Sequence, residues 1–142
     1  MMPASIQSGR ADRRPVLELD LERTSQAPAL ARAAINGFCE HRDISASAIA
    51  TLMLLVSEVV TNAVVHPHVD ESATITVHAH LERDSVHIEI RDAGTRFTPR
   101  PRDPSRVDGG YGLYLVEKAA TDWGLRSGPT TTVWFQVARA DG

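Results

Sequence analysis

The sequence predicts an α+β fold: a two-layer α/β sandwich in which one mixed, mainly antiparallel sheet is covered on one face by about three helices. Three observations predict it. Two stretches with a helical apolar period precede a pair of alternating strands. One short helix and two further strands follow, so helices and strands are segregated rather than alternating as in a doubly wound parallel sheet. The 142 residues are 42% hydrophobic and 23% charged, an ordinary composition for a single domain that buries a core without disulfides.

Residues 1–14 are polar and irregular and are expected to form a flexible arm, with the domain occupying 15–142. The segment V16-L-E-L-D-L21 alternates and reads as an edge strand. A helix is expected to start with Thr24 or Ser25 as its cap and Pro28 in its first turn. Ala27, Leu30, Ala31, Ala34, Ile35 and Phe38 form its core stripe. A second helix runs from about Ser45 to Val65, and Pro67 helps to stop it. Its expected stripe is Ile49, Leu52, Met53, Val56, Val59, Val60 and Ala63.

Strands are expected near 73–82 and 85–92, joined by a tight turn at Arg83-Asp84. Ile75, Val77, Ala79 and Leu81 share one face of the first; Val86, Ile88 and Ile90 share one face of the second. Period two then puts Asp92 on that core face, where a carboxylate requires a waiting donor. Residues 94–109 form a loop rich in Pro, Arg, Asp and Gly, a length usual for a functional lid or a disordered segment. G109-G-Y-G112 opens a helix from Leu113 to Ala120, and strands near 123–127 and 131–138 close the chain. Val133, Phe135 and Val137 share a face of the last strand, and Thr131 falls on it by parity.

Net charge is −3, which gives no global basic field for direct nucleic-acid binding. The cationic charge is almost all Arg, Lys118 being the one lysine. No run of 18 apolar residues or secretory h-region is read, so neither a membrane partner nor export is expected, and the chain reads as cytoplasmic. Cys39 stands alone and reads as a buried small hydrophobe beside Ile35 and Phe38.

Glu58 and Asn62 carry the strongest chemical signal. They lie one helical turn apart in the apolar run L54-L-V-S-E-V-V-T-N-A-V-V-H66, on one face of the helix. Alone, the pair reads as an exposed polar stripe, and with the downstream motifs it reads as a site for a metal–phosphate ligand. Asp92 suits a hydrogen bond from an adenine amine, Gly94 lets backbone approach the base, and Thr131 supports the same edge directly or through water. Gly109, Gly110 and Gly112, with Tyr111 among them, free backbone N–H groups toward phosphates at the helix that Leu113 begins. Asn62 offers a carbonyl oxygen to Mg²⁺, and Glu58 is spaced to orient or deprotonate a hydroxyl or water. No P-loop motif exists, and G110-Y-G112 follows a loop rather than a first βαβ strand, which excludes a Rossmann reading.

In this order the motifs resemble those of the GHKL (Bergerat-fold) ATPase superfamily, which includes gyrase B subunits and sensor histidine kinases. V56-S-E-V-V-T-N-A-V-V-H66 looks like its N box, I90-R-D-A-G94 its first glycine box, G109-G-Y-G-L-Y-L-V116 its second, and T130-T-T-V-W-F-Q-V137 its closing strand. The short chain is most similar to the anti-sigma-factor serine kinases, over about residues 15–138. The resemblance implies ATP with Mg²⁺ held by Asn62, Glu58 as catalytic base, Asp92 as adenine selector and 95–111 as an ATP lid. It also implies transfer of the γ-phosphoryl group to a serine of an antagonist protein, sequestration of a sigma factor, and a possible homodimer.

The chain departs from that pattern at Arg96, where the family has the second glycine of D-x-G-x-G. Arg96 either swings a cation toward the phosphates or blocks the usual lid conformation. Arg100, Arg102 and Arg106 with Pro99, Pro101 and Pro104 make either a triphosphate clamp or a solvated linker. His66, two turns beyond Glu58, either touches phosphate or caps its helix. His78, His80 and His87 share the outer face of the hairpin by parity, but no carboxylate or Cys is read as completing a metal site there, so a solvated polar face is expected. Trp134 is off the core face by parity and reads as an exposed contact residue. Two functional classes follow: an ATP-dependent protein serine kinase, and a non-catalytic nucleotide-gated protein-binding module. A sensor histidine kinase is disfavoured, because no residues remain for a dimerisation helix pair.

Overall fold

Alternating and helix-periodic segments form where the pattern places them. A computed structural model describes residues 16–65, 74–93 and 112–140. The expected arm at 1–14, the loop at 94–109 and the helix stop at Pro67 lie outside the described residues. In chain order the elements are β1 (Val16–Glu22), α1 (Ala27–Cys39), α2 (Ala46–Val65), β2 (Thr74–Leu81), β3 (Ser85–Ala93), α3 (Gly112–Ala119), β4 (Asp122–Ser127) and β5 (Thr130–Ala138). The strands form one sheet in the order β1-β2-β3-β5-β4. Every neighbouring pair is antiparallel, so the mixed sheet expected from sequence is a fully antiparallel one among the described residues.

Antiparallel pairing lets one face be dry and the other wet. Leu21, Ile75, Asp92 and Thr131 are joined in register across β1, β2, β3 and β5, as are Leu19, Val77, Ile90 and Val133. These rows face the helices. The other parity, Glu18, Asp20, Thr76, His78, His80, His87, Glu89, Arg91, Trp134 and Gln136, makes the open face, which no helix covers among the described residues. Phe135, Ile35, Leu52, Leu55, Ile75, Ile88 and Ile90 are the largest fully buried side chains, each worth roughly 1.5–3 kcal/mol of transfer free energy.

The helices differ from expectation in detail. In α1 the buried row is Ala27, Ala31, Ile35, Phe38 and Cys39, which puts Leu30 on the flank at 51% exposure. Its N-cap is Gln26, without a side-chain cap; Thr24 instead accepts a hydrogen bond from the Gln26 N–H at 3.2 Å in the turn before it. Ser45 does cap α2, its Oγ accepting from the Ala48 N–H at 3.0 Å. In α2 Leu55 is buried while Ile49 and Met53 are only partly so, because a helix covered by both the sheet and α1 buries a broader stripe than one seam. By length and hydropathy α2 would suffice to cross a bilayer, a property that a core helix shares. Cys39 is buried as expected, and that burial pushes its thiol up against the opposing pull of the Arg42 guanidinium.

Two features secure the sheet. Trp134 lies flat over Gly124 of β4, where a Cβ would come within 2.5 to 2.8 Å of the indole. The expected exposed contact residue is thus a packed ring on the open face. At the opposite end of the sheet, Arg23, just past β1, donates to the Asp92 carboxylate and to the Ala63 carbonyl of α2. The two charged side chains retain only 5% and 10% exposure. The Ala63 carbonyl is in the last turn of its helix, among the four acceptors that lack an intrahelical donor.

Removing one member of a buried pair leaves a charge without its partner, at about 3–5 kcal/mol. Arg23→Ala is therefore expected to lower the unfolding free energy by about that amount in urea titrations; a loss below ~1 kcal/mol would show that solvent already screens the pair. A second prediction concerns pH. Burial alone would raise the Glu89 carboxyl, but the hydrogen bond from His87 and the charges of Arg126 and His87 outweigh it and hold it below the ordinary value of 4.5. A depressed carboxylate stabilises the fold above its unfolded value and loses that contribution as pH falls through the folded one. Urea midpoints measured from about pH 5 to about pH 3 should fall, and Glu89→Gln should flatten the decline. Identical slopes in the two proteins would contradict this.

Candidate functional site

The core face of β3 ends on a carboxylate because strand parity continues through Ile90 to Asp92. Asp92 is 7% exposed, and its register partner on β5, Thr131, is 4% exposed. A buried charge of this kind needs a donor, and the structure supplies Arg23. Because Arg23 also holds Ala63, the last turn of α2 is tied to the end of β3 at Asp92.

That tie brings the sequence motifs toward one another. Asn62 is the residue before Ala63 on α2, and Glu58 is one turn earlier; both side chains are half-buried at the flank of the helix whose Val56, Val59, Val60 and Ala63 enter the core. Helix α2 also packs against α3, β3 and β5. The helix that carries Glu58 and Asn62 therefore touches the strands bearing Asp92 and Thr131 and the helix that opens at Gly112. In α3, Leu113 packs partly buried against the core and Val116 is fully buried, which fixes where the helix begins relative to α2. His66, Gly94, Arg96, Gly109, Gly110 and Tyr111 lie outside the described residues.

The chemical content is a buried, charge-balanced hydrogen-bond acceptor at one end, with a carboxylate and an amide on the helix above it. The start of a helix, whose first N–H groups have no intrahelical acceptor and whose dipole end is positive, lies on a third element. Such a set offers an acceptor for a polar ring edge, oxygen ligands for a hard cation and donors for an anion.

Arg23 is the residue that sequence reasoning missed. It follows an edge strand and precedes a helix, where a basic side chain is unremarkable, and it meets its partner 69 residues away. The one available signal was the requirement for a donor to Asp92, which named no residue. A second link of the same kind, Arg32 to the Ser57 hydroxyl at 2.8 Å, ties α1 to α2 beside Glu58.

Comparison with known proteins identifies the relatives of this chain. The chain is 30% identical over 119 residues to the serine-protein kinase RsbW of Listeria innocua, covering 75% of this chain and 76% of that protein. It is 30% identical over 79 residues to the anti-sigma F factor of a Thermoanaerobacter species, covering 56% and 55% respectively. Among solved structures it is similar to the RsbU and RsbW domains of Rv1364c from Mycobacterium tuberculosis. There the TM-score is 0.70 at 23% identity over 89% of this chain, which shows the fold; the chain spans 33% of that longer one. The family described as "Histidine kinase-like ATPase domain" matches residues 21–137, from the end of β1 to the end of β5. That span takes in the helix pair, the Asp92 strand end and the closing strand together, and the chain belongs to the histidine kinase-like ATPase domain family.

Proposed function

We propose that this chain is an ATP-dependent protein serine kinase of the anti-sigma type, acting on a serine of an antagonist protein and binding a sigma factor. The observation that carries the reading is the buried Asp92, paired across strands with Thr131 and overhung by the last turn of α2. The names of the relatives, a serine-protein kinase and an anti-sigma factor, support it.

ATP with Mg²⁺ would supply the transferable phosphoryl group and neutralise its charge. The donor set fits: amide and carboxylate oxygens suit Mg²⁺, and helix N–H groups suit phosphate. In this reading Asp92 accepts a hydrogen bond from the adenine amine, supported by Thr131. Asn62 contributes its amide oxygen to the cation. The N-terminus of α3 at Gly112 and Leu113, with Gly109, Gly110 and Tyr111 before it, receives the phosphates. Gly94 admits the base, and Arg96 and His66 add cationic or polar contacts to the phosphate tail. Glu58 orients the acceptor serine and takes its hydroxyl proton.

Calorimetry of Mg·ATP binding tests the site directly. Asp92→Asn and Asn62→Ala should each weaken binding by about tenfold or more, the loss of a hydrogen bond or ligand bond to a charged partner. Glu58→Ala should leave affinity within a few-fold and lower phosphoserine formation on the antagonist by about 10²–10⁴. Labelling that survives Glu58→Ala would remove Glu58 from the base role, and wild-type affinity in Asp92→Asn would dismiss the adenine contact.

A second reading, a non-catalytic nucleotide-gated binding module, is favoured by Arg23, which already engages Asp92, the carboxylate assigned to adenine, and by Arg96 in the glycine box. It expects Mg·ATP binding without phosphoserine, and partner affinity that differs between ATP and ADP.

A further inference from the structure

The open face of the sheet carries a row of rings with no role in the nucleotide reading. His78 meets His80 edge-on at 5.6 Å between centroids, His80 stacks on His87 at 4.7 Å, and His87 stacks on Trp134 at 5.5 Å. His80 and His87 are direct register partners on β2 and β3. Period two continues past the end of β2, so that Glu82 shares the face of His80 and its carboxylate lies 2.6 Å from the His80 ring nitrogen. The expectation that no carboxylate joins these histidines is thereby overturned.

We propose that His80, Glu82 and His87 form a binding site for a late first-row divalent cation, Zn²⁺ above all. One ligand atom from each of the three lies within 4.8 Å of the others. Tetrahedral Zn²⁺ with bonds of ~2.0–2.2 Å needs ligand atoms about 3.3–3.5 Å apart, a spacing small side-chain rotations reach. Two imidazoles and one carboxylate, with water in the fourth position, are a Zn²⁺ set, and imidazole disfavours Mg²⁺ or Ca²⁺. The cation takes the place of the hydrogen bond between His80 and Glu82: a neutral His80 ring moves its proton to Nδ1 and binds through Nε2, and a protonated ring releases one proton to solvent. Outer support is already in place. The two ring nitrogens of His87 hold Glu89 at 2.9 Å and Gln136 at 3.1 Å, so when one turns to the cation the other keeps a partner that orients the ring. Arg126 in turn fixes Glu89 at 2.9 Å. Beside the trio, the Nδ1 of His78 is buried with no hydrogen-bond partner among the described residues, a further nitrogen donor adjoining the site. His80 and Glu82 are half-buried while His87 is 9% exposed, so the site opens to solvent on its His80–Glu82 side. The site is on the face opposite the helices, and so is independent of the nucleotide reading.

The test is calorimetric titration of the untagged, chelator-stripped full chain with ZnCl₂, without nucleotide, alongside thermal melting with and without Zn²⁺. One equivalent should bind, resist competition by excess Mg²⁺, and raise the melting temperature. His80→Asn, His87→Asn and Glu82→Gln should each weaken binding at least tenfold and abolish the melting shift, while His41→Asn, on the connection between α1 and α2 and outside the trio, should change neither. Circular dichroism confirms that each variant is folded, and Glu82→Gln, at the turn, provides the mildest change. Absence of stoichiometric binding by the wild type, or unchanged affinity in the folded His80 and Glu82 variants, would overturn the proposal.

Discussion

The seat of α2 on the sheet is the constraint from which the arrangement of the site follows. Its buried side, from Ala48 through Leu52, Val56 and Val59 to Ala63, packs against the sheet and its neighbouring helices. A helix with that much apolar surface has one orientation that keeps it dry, and rotating it by a single residue would expose part of the stripe. Once the stripe is fixed, Glu58 and Asn62 are fixed on the flank. The polar residues have no independent freedom; the hydrophobic residues aim them.

The Arg23 link adds a specific anchor to that general one. Hydrophobic packing sets the rotation of a helix well and its axial position less sharply. The guanidinium of Arg23 reaches the Ala63 carbonyl and the Asp92 carboxylate at once, so it ties one turn of α2 to one residue of β3. The same contact answers two accounting problems: a carboxylate in the core and an unpaired carbonyl at a helix end. The two faces of the sheet divide the labour. The helix side holds the core with Glu58, Asn62, Asp92 and Thr131, while the open side gathers polar and aromatic rings whose mutual stacking, with Trp134 over Gly124, covers backbone that no helix protects among the described residues.

Membership of the histidine kinase-like ATPase domain family gives these features a common context. The short order from the end of β1 to the end of β5 contains the full set of elements that the family match spans. The local features that stand on this frame are the arginine at 96 in the sequence, the arginine at 23 beside the buried aspartate, and the histidine row on the open face.

Much of the fold was legible in the chain because strand and helix periods are local properties. Parity along β2, β3 and β5 placed Asp92 and Thr131 on the core face, and both are buried there. Helical period placed Glu58 and Asn62 on one flank of α2. The same parity places Glu82 beside His80, although Glu82 lies one residue beyond the end of β2. Flanking positions such as Leu30 and Leu55 were misassigned, because how wide a stripe a helix buries depends on how many neighbours cover it. Tertiary structure alone decided the rest. Strand order, the wholly antiparallel pairing and the union of Arg23 with Asp92 join segments far apart in the chain, and no local period encodes which distant side chain will neutralise a buried charge.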